Sequence, residues 1–449
     1  TYFVVAHFHY VLIGGAVFPL FGAFYFWFPK FTGRRLGERA GVWNFWLFFV
    51  GFNVAFFPMH ITGLRGMPRR VWTYPGDMGW DVLNMISTVG AYLFAAGVLV
   101  FVIDLVRNFR PSPGGGGGNP WDAGTLEWLP GDVYAARSIP IVTSREPLWD
   151  QPNLSREVEE GRHFLPNAPT GYRETIVTSP VEAKPQYVIQ MPGPGWPHVI
   201  AAVFMAGFFL LLTVKMVVLA LTCGVIAIAA CIYWGWSLDP GPAKGDVEIG
   251  AGIKVPTYMT GPTSHAWWAM VVLILVASSL FLAYVFSYLY LWVVSPEVWP
   301  PQGSPPLPGP PWPAATVLLL LAGTACVWLA GWALPAQGRR NPAVPLLLAV
   351  AAICIVAAVG TEVFSHWSTG LRPTRNAYGA MVFMASVLHF QVGFAVFILL
   401  GYAIARYVAG KLDAARRVNY ENAALLYYYA AAQMLVALVL LHGFPRVAA

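Results

Sequence analysis

Ten apolar runs, each at or near the length that crosses a bilayer, constrain this chain more than any other feature. They fall at 4–28, 42–62, 80–106, 199–214, 216–236, 266–294, 314–334, 343–364, 377–407 and 423–441. A backbone inside hydrocarbon has to satisfy its own N–H and C=O groups, so runs of this length read as helices. The expected fold is therefore all-α, a multi-pass transmembrane protein of about ten helices. Hydrophobic residues make up 57% of the chain and charged ones only 11%, with a mean hydropathy of +0.59, which excludes a soluble domain.

The runs group as three, then a gap, then seven. The gap holds many prolines, much of the charge and five consecutive glycines at 114–118. Those glycines lack the Lys-Ser/Thr ending of a phosphate loop and read as a hinge. The expected organisation is a three-helix piece at 1–110, a hydrophilic connector at 111–196 and a seven-helix module at 197–449. Cys223, Cys231, Cys326 and Cys354 sit in apolar runs without metal-binding spacing and read as small packing residues. The formal charge of +6 is spread over loops rather than along a stripe, so no nucleic-acid partner is expected. The chain opens on Thr1 with the apolar run under way by Phe3, without the charged start of a signal peptide, and reads as a fragment.

Positive charge sets orientation in membranes. If the first helix ends inside, the short inner segments carry fourteen Lys and Arg residues and the outer ones seven. This puts the connector on the cytoplasmic side. Three of the seven outer charges, Arg65, Arg69 and Arg70, crowd one short outer loop against the trend, and a bound anion would account for them. Snorkelling of these arginines to lipid headgroups is the alternative use.

His7 and His9 are the other anomaly. Between 4 and 28 no other residue is charged or titrates near neutral pH. Residues two apart on a helix point to roughly opposite sides, about 200° apart, so the two imidazoles cannot close on one metal. Read from the residues alone, the pair either serves two separate cofactors, one on each side of the rod, or hydrogen-bonds across a helix bundle. Intramembrane ionisable groups are costly, which favours the first use.

These residues carry a resemblance. TYFVVAHFHYVL at Thr1 to Leu12 resembles the tenth helix of subunit I of haem-copper oxidases of the cytochrome c oxidase kind. FFPMHITGLRGMPRRVWTYP at Phe56 to Pro75 resembles the loop between its eleventh and twelfth helices. The resemblance implies that His7 ligates the high-spin, oxygen-binding haem and is the catalytic position, that His9 ligates the low-spin haem, that Phe8 lies between the two haems, and that Arg69 and Arg70 hold the propionates. GNPWDAGTLEW at Gly118 to Trp128 resembles the segment after the twelfth helix of bacterial subunit I. PGPGWPHV at Pro192 to Val199 resembles the start of subunit III, so the chain is similar to a fusion of the two subunits. Trp299-Pro-Pro301, Ala377-Tyr-Gly379, His389 and Glu421 match that subunit. Ser278 and Ser279 stand near where it carries a carboxylate, and Leu425 to Tyr429 lack its usual His and Asp.

The resemblance implies reduction of dioxygen to water coupled to proton pumping in a bacterial inner membrane. Electrons would come from cytochrome c through a copper site on subunit II. The active-site copper and the second low-spin ligand would be bound by residues upstream of Thr1, so the fragment alone would be inactive. A quinol oxidase or a nitric oxide reductase of the same superfamily keeps the histidine pair. A non-enzymatic multi-pass transporter or structural subunit would share the ten crossings and bind no haem. His60 is expected to pack at a haem edge. Glu362, His366 and His389 are expected to make polar contacts between helices or to headgroups rather than catalyse. Lys215 reads as a tight surface turn, and Trp267, Trp268 and Tyr427 to Tyr429 as interface anchors.

Overall fold

The computed structural model describes all residues except 110–118, 130–137, 168–172, 192–194, 239–244, 261–263, 298, 301–302 and 449, and the side chains of 31 and 448. The glycine run at 114–118 and parts of two connector motifs lie outside the described residues. The chain divides into two compact units, Thr1–Arg173 and Glu174–Ala449.

In the first unit, α1 (Tyr2–His9) runs directly into a π-helical stretch, Tyr10–Val17, and then α2 (Phe18–Thr32). Gly33 ends α2 in the left-handed region at φ 73°, where its amide bonds to Pro29 O at 2.8 Å. Two long helices follow, α3 (Glu38–Leu64) and α4 (Asp81–Asn108). They approach backbone to backbone: a Cβ on Gly51 would strike the Phe94 amide, and one on Gly90 the Ala55 amide. Small residues permit this approach, which drives helix pairing where lipid is as apolar as leucine. Buried Asn44 spans the pair, donating to Gly97 O at 2.8 Å. The carboxylate of Asp104, 5% exposed, accepts the Gly37 amide at 3.0 and 3.1 Å and so sits at the electropositive start of α3. Past α4, a 3₁₀ turn (Leu126–Trp128) docks on the end of α2, where Lys30 donates to Leu129 O at 3.0 Å and Trp27 to Glu127 Oε1 at 2.7 Å. Short helices α5 (Pro147–Asp150) and α6 (Leu154–Glu159) complete the unit.

The second unit opens on an antiparallel hairpin of β1 (Glu174–Thr178) and β2 (Pro185–Gln190). The boundary between the units thus falls inside the connector. The hairpin belongs with the second unit because Val188 N donates to Pro256 O at 2.9 Å, beside the short pair β3 (Val247–Glu248) and β4 (Lys254–Val255). Helices α7 (Pro197–Thr213) and α8 (Val217–Ser237) form a hairpin turned by Lys215, whose φ is 63°. Then come α9 (His265–Val294), α10 (Pro311–Ala333), α11 (Ala343–Ser368), α12 (Ala377–Val408) and α13 (Val418–Leu438). A second π-helical stretch, Val439–Gly443, leads into α14 (Phe444–Ala448).

Two cores lie within α9–α14. One gathers Leu348, Ile355, Leu400 and Tyr427, the other Tyr288, Trp299, Tyr378 and Leu441. Neither draws on α7 or α8, whose Val203, Leu210, Val218 and Leu221 are exposed as lipid-facing side chains would be. The seven helices are therefore a hairpin beside a five-helix bundle closed by a C-terminal segment. On the loop between α12 and α13, buried Asp413 accepts from two guanidinium nitrogens of Arg416, Nη2 at 2.7 and Nε at 3.0 Å, and from two backbone amides. Burial alone would push this carboxyl up, but the Arg416 bonds outweigh it and hold Asp413 below the usual carboxylate range.

Among the described residues nine helical spans are long and apolar enough to cross a membrane, and Pro197–Thr213 is a shorter apolar helix. The chain is a multi-pass helical membrane protein. The helix ends lie within a few residues of the apolar runs, because hydropathy marks the same boundary that the hydrogen-bonded backbone must respect.

Candidate functional site

α1 is seated against α3 by a second close approach. A Cβ on Gly63 would strike the backbone of Phe3, so only glycine lets the first turn of α1 reach the last turn of α3. The Tyr2 amide donates to Met67 O at 2.8 Å, which ties the start of α1 to the 65–80 loop. Tyr10 Oη donates to Asn53 Oδ1 at 2.9 Å and secures the first residue of the π stretch.

This seating orients the histidine pair. His9 faces α3, its ring stacked on Phe56 with centroids 4.3 Å apart and planes 11° apart. Its Nδ1 lies 2.7 Å from Val5 O. A carbonyl can only accept, so Nδ1 carries the proton and the lone pair of the neutral ring resides on Nε2. That is how metal-ligating imidazoles are commonly held, one nitrogen donating to a backbone carbonyl and the other presented to the metal. His7 is exposed, as is Phe8 between them, 52% accessible, while Ala6 is fully buried. The π stretch begins at the residue after His9, and π turns within helices often accompany functional sites.

The 65–80 loop is fixed from within. Arg65 donates to Gly79 O at 3.0 Å, Trp80 Nε1 to Arg65 O at 3.3 Å and Asn84 to Tyr74 Oη at 2.7 Å, while Met67 is buried. Arg69 and Arg70 stand exposed on this frame, and Arg70 holds a φ of 67°, a conformation that costs a non-glycine residue about 1–2 kcal/mol. His60 packs between Phe3 and Tyr10, with centroids at 4.9 and 5.3 Å.

In the second unit, Glu362, His366 and His442 come together in the core. The reading from sequence named the first two and missed His442. The only signal for it was a histidine closing the last apolar run, which does not reveal its partner 80 residues earlier. His389 is 3% exposed, and among the described residues neither ring nitrogen has a hydrogen-bond partner. Glu421 is held by Arg417 at 2.8 Å across one helical turn.

Comparison with known proteins bears on the first unit and on part of the second. Residues 1–93 match the family model described as Cytochrome C and Quinol oxidase polypeptide I. The chain is 37% identical over 262 residues to the probable quinol oxidase subunit 1 of Staphylococcus haemolyticus, covering 57% of this chain and 36% of that protein. It is 50% identical over 151 residues to quinol oxidase subunit 1 of Bacillus subtilis, covering 32% and 23%. It is 45% identical over 152 residues to cytochrome c oxidase subunit 1 of Alkalihalophilus pseudofirmus, covering 33% and 24%. The matched part thus spans between about a quarter and a third of these relatives. An alignment covering 57% of the chain is longer than 1–196, so the likeness to a subunit 1 extends beyond the connector.

Proposed function

We propose that this chain is part of a terminal respiratory oxidase of the haem-copper class, which reduces dioxygen to water and couples the reaction to proton movement. The observation that carries the proposal is the orientation of His9, proton on Nδ1 and lone pair on Nε2, two residues from an exposed imidazole on the other side of the rod. Together with the family match over residues 1–93, it supports the two-haem use of the pair over hydrogen bonding across a bundle.

On this reading His9 Nε2 holds a low-spin haem and His7 a high-spin one. Arg69 and Arg70 hold propionates at the outer surface. The haems, when bound, would supply electron transfer and, at the one held by His7, the oxygen chemistry. This chain's own residues do the placing. Val5 O fixes the tautomer of His9, Phe56 fixes its plane, and the exposed guanidiniums offer anion-binding forks whose charge makes haem reduction easier. Phe8 would stand between the two haems, as the resemblance implies. An electron-entry subunit II is its partner. The subunit III-like part, expected at 197–449, narrows to the bundle α9–α14, since the likeness to a subunit 1 runs past residue 196, and it belongs to a fused polypeptide in a bacterial plasma membrane with the connector on the cytoplasmic side.

Cytochrome c is the donor in the first reading. Quinol is the second, supported by the names of the Staphylococcus and Bacillus relatives. The test is made on the purified complex. His7→Ala is expected to remove the high-spin haem bands and His9→Ala the low-spin ones, each cutting oxygen uptake at least 100-fold. Oxygen uptake by the unaltered complex with reduced cytochrome c and with a quinol, each alone, assigns the donor. Loss of the same optical band in both variants would contradict the assignment.

A further inference from the structure

Glu362 and His366 lie one turn apart on one face of α11, and the π stretch Val439–Gly443 brings His442 to the same point. All three are buried, at 2%, 1% and 3% exposure. Both imidazoles aim Nε2 at one carboxylate oxygen: His366 lies 3.2 Å and His442 3.1 Å from Glu362 Oε1. The ring centres are 4.9 Å apart, and one ligand atom from each residue falls within 4.8 Å of the others. In a tetrahedral site with bonds near 2.0–2.1 Å, neighbouring ligand atoms stand about 3.3 Å apart. The Nε2–Oε1 spacings already match that edge.

Charge points the same way. A buried carboxylate needs positive charge beside it in a low-dielectric core, and Arg446, one turn beyond His442, bonds to the His442 and Pro308 carbonyls rather than to Glu362. A divalent cation removes the deficit. Among the described residues, Tyr284 Oη and both nitrogens of His389 are buried without a hydrogen-bond partner. Tyr284 and His389 are within electrostatic reach of Glu362. Buried polar groups of this kind require a partner, and a water on a metal's fourth position is one they could share. His366 stands two residues before the end of α11 at Ser368, so the triad lies near one end of that span.

We infer that Glu362, His366 and His442 bind a divalent first-row cation of the zinc class, which fastens the C-terminal segment to α11. Two imidazoles and one carboxylate form a nitrogen and oxygen set suited to zinc, and a closed shell of this kind needs no redox partner. The site shares no residue with the histidine pair on α1, so it stands or falls apart from the oxidase reading.

The test is zinc K-edge absorption of the full purified chain after dialysis against zinc and then buffer, since this edge is blind to any iron or copper. The expected result is one zinc held by two imidazoles and oxygen at about 2.0–2.2 Å. His442→Cys should replace one imidazole by sulfur at about 2.3 Å. Glu362→Ala should release one equivalent of zinc while haem content is unchanged. A wild-type protein that retains no zinc, or a zinc shell without two imidazoles, overturns the proposal even if the variants fail to fold. So does an unchanged shell in a folded His442→Cys protein.

Discussion

At the scale of single residues, local bonds decide what each ionisable group can do. His9 and Asp413 show this with opposite partners. Val5 O commits one nitrogen of His9 and leaves the other to a ligand, whereas Arg416 saturates Asp413 from both sides. Because the Asp413 carboxyl is held below its usual range, its contribution to stability is complete at neutral pH. It is lost as the pH falls through the depressed value. Asp413→Asn is therefore expected to destabilise the protein by about 1–3 kcal/mol at pH 7, as removal of a charged, buried hydrogen-bond partner does. The gap from wild type should narrow as the pH drops below about 4. Thermal unfolding of both proteins in detergent across that range reads the effect. A gap that stays constant down to strong acid would show that the bonds to Arg416 contribute little.

At the scale of elements, glycine decides which helices meet. Gly63 admits the Phe3 backbone, and that approach aligns His9 with Phe56. Gly63→Val should force α1 outward, lower stability by about 1–3 kcal/mol as overpacking does and, if His9 holds a low-spin haem as proposed, shift that haem's band without removing it. A variant with unchanged melting temperature and spectrum would show that α1 is seated by other contacts. The helices themselves were legible in the sequence, because ten apolar runs leave a backbone in lipid no other choice. The histidine pair was legible too, since spacing on a rod fixes direction whatever surrounds it. The meeting of His442 with Glu362 was not, because it depends on a π stretch that turns the last helix, and hydropathy carries no trace of that turn. Nor was the split of seven helices into a hairpin and a bundle, since lipid-facing and core-facing leucines look alike in a row of letters.

At the scale of the whole molecule, orientation follows from charge. The loops bearing Arg339, Arg340, Arg416 and Arg417 should share a side with the connector, and the loop bearing Arg69 and Arg70 should face the other way. With the four native cysteines replaced by alanine, single cysteines at exposed Ser144, Gln337 and Thr73 report the sides. A membrane-impermeant maleimide applied to intact cells with the outer envelope opened should label Thr73→Cys only. Inverted vesicles should give Ser144→Cys and Gln337→Cys instead. Labelling of all three from one side would overturn the topology.

The wide turn beyond His9 has a consequence for how this polypeptide can change over time. Each amino acid in a helical rod advances direction by about 100°, so a lost residue anywhere from Tyr10 to Val17 would swing the imidazoles to new bearings while α2 stayed in place. Substitutions there can be absorbed one at a time. A change in length cannot, because it re-aims both rings at once.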